Sequence, residues 1–368
     1  MCGSEEVHAR MAEMFGGKAL EDVEEALRSV SQEPQPMSSS PFLDLEHPIG
    51  AYEATKLVLL APVAFLRLLG IVICFLLIWI PSRVHVAMVG MRKKKKRKTM
   101  EAPSTDLDDL PDDDLATSRV VDWFVKPCAR ALLFFSGFLW ISVKGRHHMK
   151  RNATILVFNH ITFADPVMLL ALLGGHSGVA KAGVSELPFV GAIARSLNYL
   201  FVQRRNSAGD QGASHRHRTQ DPQAALSARV RAHPERVLVV APEGTTKSAD
   251  CLLQFRRGAF VPGIPVQPVI FRYRCRHFNV GWGVPCNDLF HVYRMLCQVV
   301  NHVEVEFLEV YVPSAEEKED ASVFAQRVRE RMAGALGCGL VEESVREENV
   351  LREQGIRPNW RGTRLAGC

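Results

Sequence analysis

From Leu57 to Ile80 the chain is almost wholly apolar, a run long enough to cross a hydrocarbon core of about 30 Å as one helix. Pro62 favours a kink there, and Arg67 is costly at mid-bilayer unless it snorkels or faces protein, so a kinked or re-entrant helix is the competing reading. A second apolar stretch, Cys128 to Val143, contains Arg130 and is short for a full crossing. It reads as an in-plane or re-entrant anchor, or else as an ordinary buried helix. After residue 150 the pattern changes. Apolar, β-branched runs at Thr154 to Phe158, Tyr199 to Val202, Val237 to Ala241 and Pro265 to Phe271 predict buried strands. Pro166 to Leu173, Leu187 to Ser196 and Gln220 to His233 predict helices between them. Such alternation predicts an α/β fold: a mostly parallel central sheet with flanking helices, functional loops at the carboxyl ends of the strands, and membrane-anchoring helices ahead of it. Val303 to Val312 alternates apolar with acidic residues, as a late edge strand would, and Ala315 to Leu336 reads as an amphipathic helix. The expected organisation is a polar lead and linker over 1–50, an anchoring region over 51–145, the α/β domain over 146–340 and a polar tail over 341–368.

Composition changes this picture little. At 368 residues and 47% hydrophobic the chain can build a sizeable core, and a net charge of +5 gives no support for a nucleic-acid partner. Local charge matters more. The unbroken basic run Arg92 to Lys98 follows the long apolar segment, so it is expected on the cytosolic side against anionic lipid headgroups; an acidic stretch from Asp106 to Asp114 comes next. A solvated charged linker fits the same residues. Nine cysteines form no CxxC pair, which argues against a zinc site or disulfide framework and for a cytosol-facing domain; no metal is expected.

Four short stretches carry candidate chemistry. In Asn159-His160-Ile161-Thr162-Phe163-Ala164-Asp165, a strand gives way to a helix, and the carboxylate can fold back onto one imidazole nitrogen and leave the other free as a base. Alone, that spacing also fits a hydrogen-bonded structural histidine. Pro242-Glu243-Gly244-Thr245-Thr246 follows the strand at 237–241 and should emerge on the same sheet edge; a turn or helix cap is the plainer reading. Val202-Gln203-Arg204-Arg205 ends a strand with two guanidinium groups suited to a phosphodiester. Val261 to Val269 makes a rigid scaffold turn into a strand, and Asn206 to His217 a flexible surface loop. A serine hydrolase is disfavoured, because Gly183-Val184-Ser185-Glu186-Leu187 lacks the second glycine of a nucleophile elbow.

In this order and spacing the four blocks resemble the glycerophospholipid acyltransferase family, whose first block is a His-x4-Asp box. The resemblance covers about Thr154 to Val269. It looks closest to the branch acting on lysophosphatidylcholine and lysophosphatidylethanolamine, through Ala180-Lys181, Leu187-Pro188-Phe189-Val190-Gly191, Val202-Gln203-Arg204 and Glu243-Gly244-Thr245-Thr246. The family's third block usually begins Phe-Pro-Glu-Gly; here Ala241 replaces the aromatic residue. The resemblance implies a glycerol-3-phosphate acyltransferase-like fold and transfer of a fatty acyl group from acyl-CoA, as co-substrate, to a lysophospholipid hydroxyl, with no bound cofactor. It implies His160 as base, Asp165 as its orienter, and Lys181, Arg204, Glu243, Gly244 and Thr245 as substrate-binding residues, with Glu243 on a glycerol hydroxyl or on Arg204. Endoplasmic reticulum is the membrane it implies. The alternatives are a lysophosphatidate acceptor, a CoA-independent transacylase and a non-catalytic membrane adaptor.

Overall fold

The computed structural model describes residues 40–99, 119–149, 155–202, 222–233 and 236–366. Helices α1 (Ala51–Leu59) and α2 (Ala61–Thr99) are separated by a break at Leu60. Pro62 falls in the first turn of α2, where a missing N–H leaves no hydrogen bond unmade, so the interruption expected from it takes the form of a helix break at Leu60, inside the apolar run. The helix also runs beyond Ile80, through Pro81 and the basic run Arg92 to Lys98. Among the described residues, Ala61–Met91 is the stretch long and apolar enough to cross a membrane. The acidic stretch at 106–114 lies outside the described residues.

Next come α3 (Arg119–Phe135), β1 (Ser142–Lys144), β2 (Ile155–Phe158), α4 (Ala164–Leu173), β3 (Ser177–Lys181), α5 (Val190–Ser196), β4 (Leu200–Val202) and α6 (Pro222–Ala232). They are followed by β5 (Leu238–Val240), β6 (Cys251–Leu252), β7 (Val266–Arg274), α7 (Asp288–Leu296) and β8 (His302–Phe307). The C-terminal portion holds α8 (Ala315–Glu319), α9 (Ala321–Leu336), β9 (Gly339–Leu340) and α10 (Val345–Glu353). Seven strands form one sheet in the order β1-β8-β7-β2-β5-β3-β4. Every neighbouring pair is parallel except β7 with β8. Strands β2, β3, β4, β5 and β7 therefore deliver their carboxyl ends to one edge.

Strand alternation makes the core. Leu156 and Phe158 face one side with Val269 and Phe271, packing on α3 and α4 through Leu133, Met168 and Leu169. Ile155 and Val157 face the other with Val266 and Ile270, against Val230 of α6 and Phe324, Val328 and Met332 of α9. The expected edge strand at 303–312 is shorter and sits inside the sheet, because β1 pairs with it from Ser142↔Glu304 to Lys144↔Glu306. Strand β1 closes the expected apolar stretch Cys128 to Val143, whose helical part α3 packs one face on α2 and α4 and leaves Trp123 and Phe134 exposed. The expected helix 315–336 is two helices, since the Asp320 carboxylate caps α9 by accepting from Ser322 N.

One stripe of α2 is bound to the α/β domain. Cys74, Ile78, Ser82, His85 and Val89 are buried at three- and four-residue spacing. Gly70 lets α3 come close: a Cβ there would meet the Phe135 ring at 2.5 Å. Arg67 faces protein. Its guanidinium donates to the carbonyls of Leu296, Gln298 and Val299 at the C-terminal end of α7, where helix carbonyls lack partners.

Residues Pro41–Cys368 form one compact unit, so the expected boundaries at 50 and 340 do not separate a linker or a tail from it. Phe42 and Leu43 share a core with Leu253, Val284, Leu351 and Ile356. Two buried histidines make the unit sensitive to acid. Burial lowers His176 and His291 from 6.5 to about 4. Below pH 6.5 the unfolded chain protonates them first, so their contribution is complete above that pH and is lost as pH falls towards 4. His176 alone is expected to cost roughly 3 kcal/mol across that window. Melting temperature measured against pH should fall over it, and less steeply in His176→Gln.

Candidate active site

Three loops meet at the carboxyl edge. The first leaves β2 at Phe158. Asn159 fixes its departure by a two-way bond to β7: Nδ2 donates to Phe271 O at 2.9 Å, and Phe271 N donates to Oδ1 at 2.7 Å. His160 follows, then a tight turn into α4 that carries Asp165 in its first turn. The Asp165 carboxylate is fully buried, and it accepts from His160 Nδ1 at 2.9 Å, Ile161 N at 2.7 Å and Thr162 N at 3.0 Å, all on Oδ2. Its other oxygen accepts from the Tyr273 hydroxyl. An ionised carboxylate only accepts, so the proton of this contact sits on Nδ1 and the lone pair on Nε2. The imidazole is 21% exposed beside a carboxylate that is not exposed at all, so the ring is reachable and its orienter is not.

Tyr273, at the far end of β7, is held well above the ordinary tyrosine value by burial and then by the Asp165 charge. It stays a neutral donor. Tyr273→Phe is expected to leave a buried carboxylate oxygen unsatisfied, costing about 1–3 kcal/mol of stability and slowing turnover about tenfold through a less firmly held His160. Denaturant unfolding and kcat measured on the same preparation check it.

The second loop follows β5. Gly244 adopts φ +74°, closing a turn in which Gly244 N donates to Ala241 O at 3.1 Å. That backbone suits glycine. Glu243 is turned inward. Both its oxygens accept from Lys247 Nζ at 2.5 Å, Oε1 also accepts from His160 N at 2.8 Å, and Oε2 from Leu253 N at 2.9 Å. Glu243 and Lys247 are both buried, and among the described residues Glu243 is a strut that ties the second loop to the His160 backbone. Thr245 is likewise committed: its buried hydroxyl donates to Glu348 of α10, and Glu348 accepts from Arg352 Nε at 2.8 Å.

The third loop follows β7. Trp282 N donates to Ile161 O at 2.8 Å, its carbonyl accepts from the Thr246 hydroxyl, and its ring meets Phe163 edge to face at 5.2 Å. An aromatic wall thus stands beside His160, although Ala241 supplies none. Lys181 lies at the carboxyl end of β3, opposite Val202 of β4. Arg204, two residues further on, lies outside the described residues, as does the loop expected at 206–217.

The site residues with no assigned role in the sequence are Asn159, Tyr273, Lys247, Trp282 and Glu348. Asn159, next to His160, and Lys247, four residues after Glu243, had a local signal; Tyr273, Trp282 and Glu348 reach the site through sheet order or from distant segments.

A family model described as Acyltransferase matches residues 140–272, the stretch that contains the His160 and Glu243 loops. Over that stretch the chain is similar to the acyltransferase family. It is 32% identical over 287 residues to the lysophospholipid acyltransferase LPEAT2 of Arabidopsis thaliana, a match covering 78% of this chain and 48% of that protein. It is 33% identical over 238 residues to lysophosphatidylcholine acyltransferase 1 of Danio rerio, covering 64% and 44%. Lysophospholipid acyltransferase LPEAT1 of Arabidopsis thaliana is 39% identical over 183 residues, 48% of this chain and 43% of its own. The chain thus spans about half the length of the curated relatives it matches. Among solved structures, the 1-acyl-sn-glycerophosphate acyltransferase PlsC of Thermotoga maritima aligns over 74% of this chain and 98% of its own, at 17% identity and a TM-score of 0.41.

Proposed function

We propose that the chain transfers a fatty acyl group from acyl-CoA to the free hydroxyl of a lysophospholipid, with lysophosphatidylcholine or lysophosphatidylethanolamine as the preferred acceptor. The observation that carries this reading is the His160–Asp165 pair at 2.9 Å, with Nε2 open, within a stretch matched by the acyltransferase model. Relatives named for lysophospholipid acyl transfer support the acceptor class.

In the proposed step Nε2 of His160 takes the proton of the lysophospholipid hydroxyl as its oxygen attacks the thioester carbonyl. The tetrahedral oxyanion collapses, the carbon–sulfur bond breaks, and the CoA thiolate leaves with the proton that His160 now carries. Asp165 orients the ring and balances the transient imidazolium. Glu243 acts at one remove, by holding the His160 main chain. The transfer is direct and needs no acyl-enzyme.

Both substrates are amphiphiles, and the exposed face of α2 suits their solvent. Phe65, Leu66, Leu69, Ile73, Leu77 and Ile80 are all at least half-exposed or nearly so, a continuous apolar face far larger than water tolerates on a soluble monomer. We assign that face to lipid. The basic run after it supports contact with anionic headgroups and a cytosolic site, and the family resemblance supports the endoplasmic reticulum.

Purified protein assayed with a panel of lysophospholipids and a few acyl-CoAs tests the reading. Acceptor-dependent CoA release with matching phospholipid formation is expected. Acyl transfer between lipids without CoA consumption, or inactivity on every pair, would overturn it.

A further inference from the structure

The proposed acyl transfer brings two phosphate-bearing molecules to the carboxyl edge, and several cations near it are already engaged. Lys247 is buried on Glu243, Arg352 holds Glu348 and the Gly283 carbonyl, and Arg195 donates to the Ser185 carbonyl. Arg256 differs. Its main-chain N–H donates to Pro242 O at 2.8 Å, beside the Glu243 strut. Its side chain lies across Gly244 so closely that a Cβ there would come within 2.7 Å of Nε. Yet the residue is exposed, and its guanidinium makes no ion pair among the described residues.

A second guanidinium stands next to it. The Thr245–Glu348 contact and a bond from Gln254 N to Glu343 O at 3.3 Å draw the start of α10 onto this loop. Arg346 lies in the first turn of α10, exposed and likewise without an ion pair among the described residues. Two of the acids beside it are engaged: Glu347 with Ser344, and Glu348 with Thr245 and Arg352. Partial desolvation of the guanidinium where it lies across the loop, and then the Arg346 charge, hold Arg256 below the ordinary arginine value. Two neighbouring guanidinium groups repel each other until an anion lies between them, and the flat fork of each suits phosphate oxygens.

We propose that Arg256, with Arg346 beside it, forms a phosphate-ester site on the lip of the Glu243-Gly244 loop, holding a substrate phosphate while His160 acts. This rests on the acyl-transfer reading above. The ester belongs either to the lysophospholipid or to CoA, and one experiment separates them. Binding of CoA and of a short-chain lysophosphatidylcholine to purified full-length protein in detergent is measured by calorimetry, beside steady-state kinetics and melting temperature, for Arg256→Gln, Arg256→Lys and Arg346→Gln.

Arg256→Gln is expected to weaken one of the two ligands by about tenfold or more, to raise that substrate's KM in parallel, and to leave kcat within about threefold. Arg256→Lys should fall between, since it keeps the charge and loses the fork. Melting temperature should not drop, because the substitution relieves repulsion. A loss confined to lysophosphatidylcholine assigns the site to the acceptor phosphodiester; a loss confined to CoA assigns it to the donor. Unchanged affinity for both ligands overturns the site, as does an equal loss for both with a lowered melting temperature. Arg256-dependent binding in a wild-type protein that transfers no acyl group keeps the site and sinks the acyl-transfer reading instead.

Discussion

His160→Ala is expected to reduce kcat for acyl transfer by about 10³-fold, near the middle of what a positioned general base contributes. The protein should remain folded. The imidazole is partly exposed, its one hydrogen bond among the described residues is to Asp165, and that carboxylate keeps three other donors after the ring is gone. Asp165→Ala is a different experiment, because it strips the acceptor from two main-chain amides, from Tyr273 and from His160 in one buried place. Its lost activity would mix misfolding with chemistry. Activity and melting temperature read together separate the two: His160→Ala should change only the first, Asp165→Ala both.

Lys247→Met is expected to be the most destabilising single change near the site. Lys247 and Glu243 are both fully buried, and removing one partner leaves a carboxylate charge with no counterion inside the protein. Breaking such a pair costs about 3–5 kcal/mol, on the order of 10 °C in melting temperature for a chain of this size. Activity should fall with it, since Glu243 also fixes the His160 amide. The double variant Lys247→Met with Glu243→Gln removes both charges and should regain part of the stability. Thermal melts of the two variants against wild type check this; a double variant no better than the single one would place the cost in lost packing.

Much of the α/β domain was legible because its strands alternate cleanly. Ile155 to Phe158 and Val266 to Phe271 read as strands, and each sends successive side chains to opposite cores. The His160–Asp165 contact was legible because both members sit within seven residues of the end of β2. What local pattern hid was whatever depends on partners far along the chain. Strand β1 has three residues and was absorbed into an apolar run; only its pairing with β8 makes it a strand. Glu243 has the composition of a substrate contact, and its inward turn is decided by Lys247, Leu253 N and His160 N together. Thr245 points to Glu348, about a hundred residues later, in a segment whose polar composition reads as a tail. Arg67 is an expense on a bare helix, and becomes intelligible once the end of α7 is beside it.

The proposed transfer from acyl-CoA to a lysophospholipid, direct and dependent on His160, is decided by CoA thiol release on rapid mixing. Wild-type protein given acyl-CoA alone should release no burst of CoA. Adding lysophosphatidylcholine or lysophosphatidylethanolamine should start release with one phospholipid formed per thiol, and folded His160→Ala should abolish it. A stoichiometric burst before any acceptor is added, leaving acylated protein, or undiminished release from His160→Ala, would contradict the claim.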